Sequence, residues 1–162
     1  MELIRNGNDN VTIADKLHRW TLGLLDEAPV AGLPLRVAQS IQTQFLVPQA
    51  VIKMWDVAPA LTQQPYALGA SADVQAFASS LTAPYCGANV GFEAVGWLGD
   101  PASAQSLAMI PLRHGPISSP GPAFGMLVLA SPDPMRFHSG MGTDFLERIG
   151  ELTSAALARL QD

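Results

Sequence analysis

Hydrophobic positions along this chain change period several times, and each change marks an element. The most continuous apolar stretch, Ala123 to Ser131, is bounded by Gly and Pro signals and predicts a buried strand. Beyond the turn-rich residues 132–143, Phe145, Ile149, Leu152, Ala156 and Leu160 recur at helical spacing, so a core strand hands over to an amphipathic C-terminal helix within residues 141–161. At the other end, residues 5–10 are rich in turn and cap formers, and Ile13, Leu17, Trp20 and Leu24 follow at helical spacing. The spacing predicts a helix from about Asn10 to Glu27 within an N-terminal segment 1–27; continuity through Gly7 is left open. Residues 28–32 break it. Pro34 suits the first turn of a second helix, which carries Leu35, Val37, Ala38, Ile41 and Phe45 and ends near Leu46.

Val47 to Val57, with its β-branched and aromatic residues, predicts the first strand. Residues 58–71 have no period and read as a loop, and the Ala-rich residues 72–81 read as a short helix. Pro84, Gly87 and Gly91 punctuate the next stretch, and Phe92 to Leu98 fits a short strand or a helical turn equally. Ser106 to Leu112 predicts a strong strand whose Pro111 suggests an edge or a bulge. Residues 114–122, with three prolines and two glycines, read as an exposed hairpin loop. This order suits an α+β sandwich: an antiparallel sheet with helices gathered from both ends of the chain.

Composition narrows the classes. At 162 residues the chain is a single domain, 1–162. Charged residues make up 14% and apolar residues 48%, against a usual charged share of about 25%, so some apolar surface is left exposed or for a partner to cover. The net charge of −5 provides no basic patch, which argues against nucleic acid or an anionic membrane as partner. The single Cys86 excludes an internal disulfide, and His18, His114 and His138 match no metal-ligand spacing, so no metal site is expected. No apolar run has the length of a membrane span, and Met1 to Arg5 lacks the features of a signal peptide; the expectation is a soluble cytoplasmic protein.

Several motifs carry a resemblance. Arg5-Asn6-Gly7, Asp15-Lys16-Leu17-His18-Arg19, Cys86-Gly87, Ile110-Pro111-Leu112, Arg136-Phe137-His138, Gly140-Met141-Gly142-Thr143 and Arg148-Ile149-Gly150-Glu151-Leu152 resemble the bacterial domain-of-unknown-function family number 484, a GAF-like family, over nearly the whole chain. The resemblance implies a GAF-type α+β fold: a central antiparallel sheet, N- and C-terminal helices on one face, and a pocket of loops and short helices on the other. It also implies a longer helical segment ahead of Arg5, most of which this sequence lacks. GAF-like domains bind small ligands and pass signals through helical dimers, but for this family the resemblance carries no chemistry or cofactor.

Two sets of candidate residues follow. Trp55, Tyr85, Cys86, Phe92, Trp97 and Met109 are the aromatic and soft residues expected around an apolar pocket, and core filling explains them equally. Cys86 reads as a small buried apolar residue, with a reactive thiolate as the alternative. Asp133, Arg136 and His138 form either an effector clamp or a turn with local caps, and Arg113 and His114, at a strand end, are expected to face water. On the last helix a second stripe, Leu146, Thr153 and Leu157, widens the apolar surface beyond the ~100° that one sheet requires. The excess predicts a homodimer through Leu17, Trp20, Leu24, Leu146, Ile149, Thr153 and Leu157 in a four-helix bundle. The functional expectation is a non-enzymatic GAF-like sensory or regulatory domain, dimeric and binding an unidentified small molecule. A docking module with a filled pocket is the alternative, and a Cys86-dependent enzyme the third.

Overall fold

The two unbroken apolar runs become the middle of a sheet. A computed structural model describes residues 2–26, 28, 30–119 and 121–161, with side chains from Thr12 onward. Four strands, β1 (Gln49–Met54), β2 (Tyr85–Ala88), β3 (Ser106–Leu112) and β4 (Gly125–Ser131), pair antiparallel throughout in the order β1-β4-β3-β2. Every residue of β3 and β4 is buried, which requires cover on both faces of the sheet. The register sets one rung, Ala50–Leu129–Ala108–Cys86, on the first face and the next, Val51–Val128–Met109–Tyr85, on the second.

Helices α2 (Leu33–Phe45) and α4 (Asp144–Leu157, continued by the 3-10 turn Ala158–Leu160) lie on the first face, α2 against β1 and α4 against β3, and α1 (Glu2–Asp26) packs on both helices. Gly150 makes the approach of α4 possible, because a Cβ there would lie 2.5 Å from Ile110 Cγ2. Edge-to-face rings join the helices, Trp20 to Phe45 at 5.7 Å and Phe45 to Phe145 at 5.1 Å, and the Trp20 indole N–H donates to Ser40 Oγ at 2.9 Å. The second face is covered by α3 (Ala72–Ser80), the 3-10 turn Glu93–Trp97 and, at Trp55 and Ala70, the two ends of the loop between β1 and α3, whose Val57, Leu61 and Tyr66 pack on the helix side. Ser71 caps α3 by accepting from Val74 N–H, and the Glu93 carboxylate accepts from the Ser71 hydroxyl at 2.6 Å.

Several expectations are corrected. The first helix begins at Glu2 and runs unbroken through Gly7, while Glu27 and Pro29, the predicted end and break, and Pro120 of the predicted hairpin lie outside the described residues. The strand before β3 is Tyr85–Ala88, inside the Pro- and Gly-punctuated stretch, and Phe92 to Leu98 forms a 3-10 turn. Pairing with β3 holds β2 where local propensity does not. β3 itself is internal; Pro111 is tolerated because β2 pairs only as far as Met109, leaving a local edge. The apolar width of α4 is used within the chain. Gly150 faces β3 and Phe145 faces α2, and Leu146, Ile149, Thr153 and Leu157 are all buried, as are Trp20 and Leu24. Of the predicted dimer contacts only Leu17 is partly open.

Candidate functional site

The six residues proposed to line one pocket are divided by the sheet. Cys86 shares its face with Leu129 and the helices, whereas Trp55, Tyr85, Phe92, Trp97 and Met109 belong to the opposite cluster. An alternation of two makes this unavoidable for Tyr85 and Cys86, which are neighbours in β2. Burial pushes the Cys86 thiol up, away from the thiolate a nucleophile needs, which agrees with the apolar reading of this residue.

Tyr85, Phe92 and Met109 are packed. Phe92 stacks between Tyr85 at 5.0 Å and Phe77 at 5.9 Å, and Met109 is 1% exposed among Leu107, Met126 and Val128. The two tryptophans stand at the margins and each walls a groove. Trp55 donates to the Ala123 carbonyl at 2.9 Å beside a groove of about 440 Å³, whose walls include Gln75, His114, Phe124 and Gln161. Trp97 lies on a groove of about 430 Å³ along β1, between the start of α2 and the loop around Pro65.

This second groove runs beside an edge strand. β1 has β4 on one side and, among the described residues, no strand on the other. The Trp55 N–H donates to Phe124 O, so by the period of two the backbone groups of Ile52 face outward. The groove walls are mostly apolar, with Pro34, Leu35, Val51 and Trp97 among them, and Leu35 is 63% exposed. The polar side chains of Lys53, Gln64 and Tyr66 interrupt them. Lys53 Nζ donates to the carbonyls of Pro65 at 2.9 Å and Leu68 at 2.7 Å, and burial lowers its pKa. The Tyr66 hydroxyl is buried without a hydrogen-bond partner among the described residues, and burial raises its pKa. Pro59 and Pro65 start the two 3-10 turns that bring Tyr66 to this position, in a stretch where the sequence pattern showed only a loop.

The charged candidates have structural partners. Arg136 donates to the carbonyls of Phe45 and Leu46, capping the end of α2, and Asp133 Oδ1 accepts from Met135 N–H to close a turn. The clamp reading gives way to the turn-and-cap reading. Arg113 corrects the expectation of a solvated strand end: it is 1% exposed, and its guanidinium donates to the carbonyls of Ala78, Ser79, Leu81 and Ile117. It therefore ties the C-terminus of α3 to the loop after β3, a favourable place for a cation. Burial lowers its pKa. Among the described residues no three His, Cys, Asp or Glu side chains come together as a metal site, and no helix is long and apolar enough to cross a membrane.

An antiparallel sheet with terminal helices on one face and short helices and loops on the other defines a GAF-type fold. The crystal structure of the GAF domain of a protein described as a sensor histidine kinase from Pseudomonas syringae pv. tomato is similar to it, with a TM-score of 0.59 at 14% identity, covering 97% of this chain and 92% of that one. At that identity the likeness concerns the fold. The family described as "Protein of unknown function, DUF484" matches residues 1–162, and the chain belongs to it. No curated protein matches the sequence.

Proposed function

We propose that this chain is a cytoplasmic, non-enzymatic sensory or regulatory domain of GAF type that takes a small molecule in the groove along β1 and acts as a homodimer through α1. The observation that carries the ligand reading is the groove itself. A concave, mostly apolar space of about 430 Å³ with a few polar groups on its walls is the usual character of a small-molecule site. The dimer reading rests on α1. Its inward stripe is buried at Trp20 and Leu24, half-buried at Leu17 and 43% exposed at Ile13, so the helix outruns the part of the chain that covers it. Leu22 and Leu25 add exposed apolar surface, 49% and 74%, on its other side. A helix with an uncovered stripe gains stability from a partner. A ligand would then act by binding one arrangement of the paired helices more tightly than another.

Native mass spectrometry of freshly purified protein tests both parts: the expected species is a dimer carrying a small added mass per chain. A Leu25→Glu variant should shift the dimer toward monomer while leaving the fold's circular dichroism unchanged. A bare monomer at high concentration would refute the proposal. The packing of Tyr85, Phe92, Phe77 and Met109 favours a second reading, a docking module whose ligand pocket is filled. A dimer without any added mass, and with no change in melting temperature across a metabolite panel, would select that reading.

A further inference from the structure

The groove along β1 has a definite charge character. Among the described residues Lys53 is the one charged side chain on its wall, and neither Asp nor Glu lines it. The Lys53 ammonium has three donors, and two carbonyls take two of them. A neutral carbonyl compensates a half-buried cation less well than an anion does, and burial lowers the pKa of Lys53. Tyr66 lines the same groove, and its hydroxyl, a further donor, is buried without a hydrogen-bond partner among the described residues. Apart from the neutral amide of Gln64 the remaining wall is apolar, with Trp97 and the exposed Leu35. One ammonium and one phenol, without an arginine, suit a single carboxylate better than a phosphate, which calls for several cationic or backbone donors.

We propose that this groove binds a small amphipathic carboxylic acid, its carboxylate on Lys53 and the Tyr66 hydroxyl and its apolar body along Leu35, Pro34 and Trp97. The inference rests on the reading of the groove as a ligand site and names the chemistry of its occupant. The ligand completes two groups that the chain leaves partly satisfied, and it covers the apolar wall.

The test compares 4-phenylbutyrate with its neutral amide, 4-phenylbutyramide, using calorimetry and the indole N–H resonance of Trp97. The acid should bind at least about tenfold more tightly than the amide, as expected for loss of a charge-assisted bond, and should move the Trp97 signal. Lys53→Met should weaken the acid by a similar factor. Because Lys53 also holds the loop carbonyls, Tyr66→Phe provides the second arm. It removes a hydroxyl that has no hydrogen-bond partner among the described residues, so melting temperature should stay level or rise, while affinity for the acid falls about threefold or more. A merely structural tyrosine would not separate the two readouts. Equal binding of acid and amide at Trp97 would overturn the carboxylate assignment and leave the groove a ligand site. No movement of Trp97 with either probe at millimolar concentration would overturn the proposal. Native mass spectrometry of the same preparation then decides separately whether the domain carries a ligand.

Discussion

The two faces of the sheet are closed in different ways. On the helix side, long elements press side chains against β3 and β4: Leu157, Leu127 and Ile110 are fully inaccessible, and α4 comes so near that only a glycine fits at position 150. On the other side a helix of 9 residues and single 3-10 turns cover Met109, Met126 and Val128, and polar ties fasten them. Arg113 holds the end of α3, Glu93 holds its start through Ser71, and Lys53 holds the loop at Pro65 and Leu68. The difference follows from area. Hydrophobic stabilisation grows with the apolar surface removed from water, and short elements remove too little to secure themselves without directional bonds. A closure made of a few bonds can also be opened by a few bonds, which is why the grooves walled by Trp55 and Trp97 lie along this side and its margins.

The comparison breaks first at Arg113. Arg113→Met keeps much of the side chain's volume but takes a donor from the carbonyls of Ala78, Ser79, Leu81 and Ile117, of which Ala78 keeps the Leu81 N–H, and a buried carbonyl left without a partner is expensive. Urea unfolding should show a loss of about 3–5 kcal/mol. A loss below about 1 kcal/mol would mean that apolar packing, not the guanidinium, holds α3, and the contrast between the faces would fail. The corresponding change on the helix side is Gly150→Ala. Helix propensity alone favours alanine by about 1 kcal/mol, but the new methyl meets the buried Ile110 side chain at 2.5 Å. Overpacking should win, with a net loss of about 1–2 kcal/mol read from the same unfolding curves. A stabilised Gly150→Ala protein would show that α4 slides freely on the sheet.

Legibility in the sequence differs between the same two sides. β4 and α4 are plain in the pattern because an unbroken apolar run and a 3.6-residue period each have one comfortable structural answer. β2 is hidden because its residues contain Gly87 and follow Pro84, and it exists by virtue of the register that pairs Tyr85 with Met109 and Cys86 with Ala108. The pocket set failed at Cys86 for a related reason: composition nominates residues, but the face they take depends on the strand's phase, and a strand not recognised has no phase to read. Arg113 and Tyr66 were missed because their roles are fulfilled by backbone carbonyls and an apolar groove assembled from distant segments. One signal was present: Arg113 directly follows seven residues that form a strand buried throughout, an odd place for a solvated cation. The apolar width of α4 was set against the sheet alone, whereas α1 and α2 also cover it.

The smallest effect tests a point where the helix side also relies on polar ties. α2 ends at Leu46, which takes the left-handed conformation at φ 55° and ψ 44°, with its side chain 69% exposed. That conformation strains a residue bearing a Cβ by about 1–2 kcal/mol, yet it turns the Phe45 and Leu46 carbonyls toward the Arg136 guanidinium at 3.0 and 3.1 Å. Leu46→Gly removes the strain and little packing, while a glycine gives the unfolded chain more freedom to lose. The net expectation is a gain of about 0.5–1 kcal/mol, seen as a raised melting temperature. The gain should survive in an Arg136→Met background if the strain is intrinsic to the turn, and should vanish there if Arg136 imposes it, since without its donors the chain end can relax.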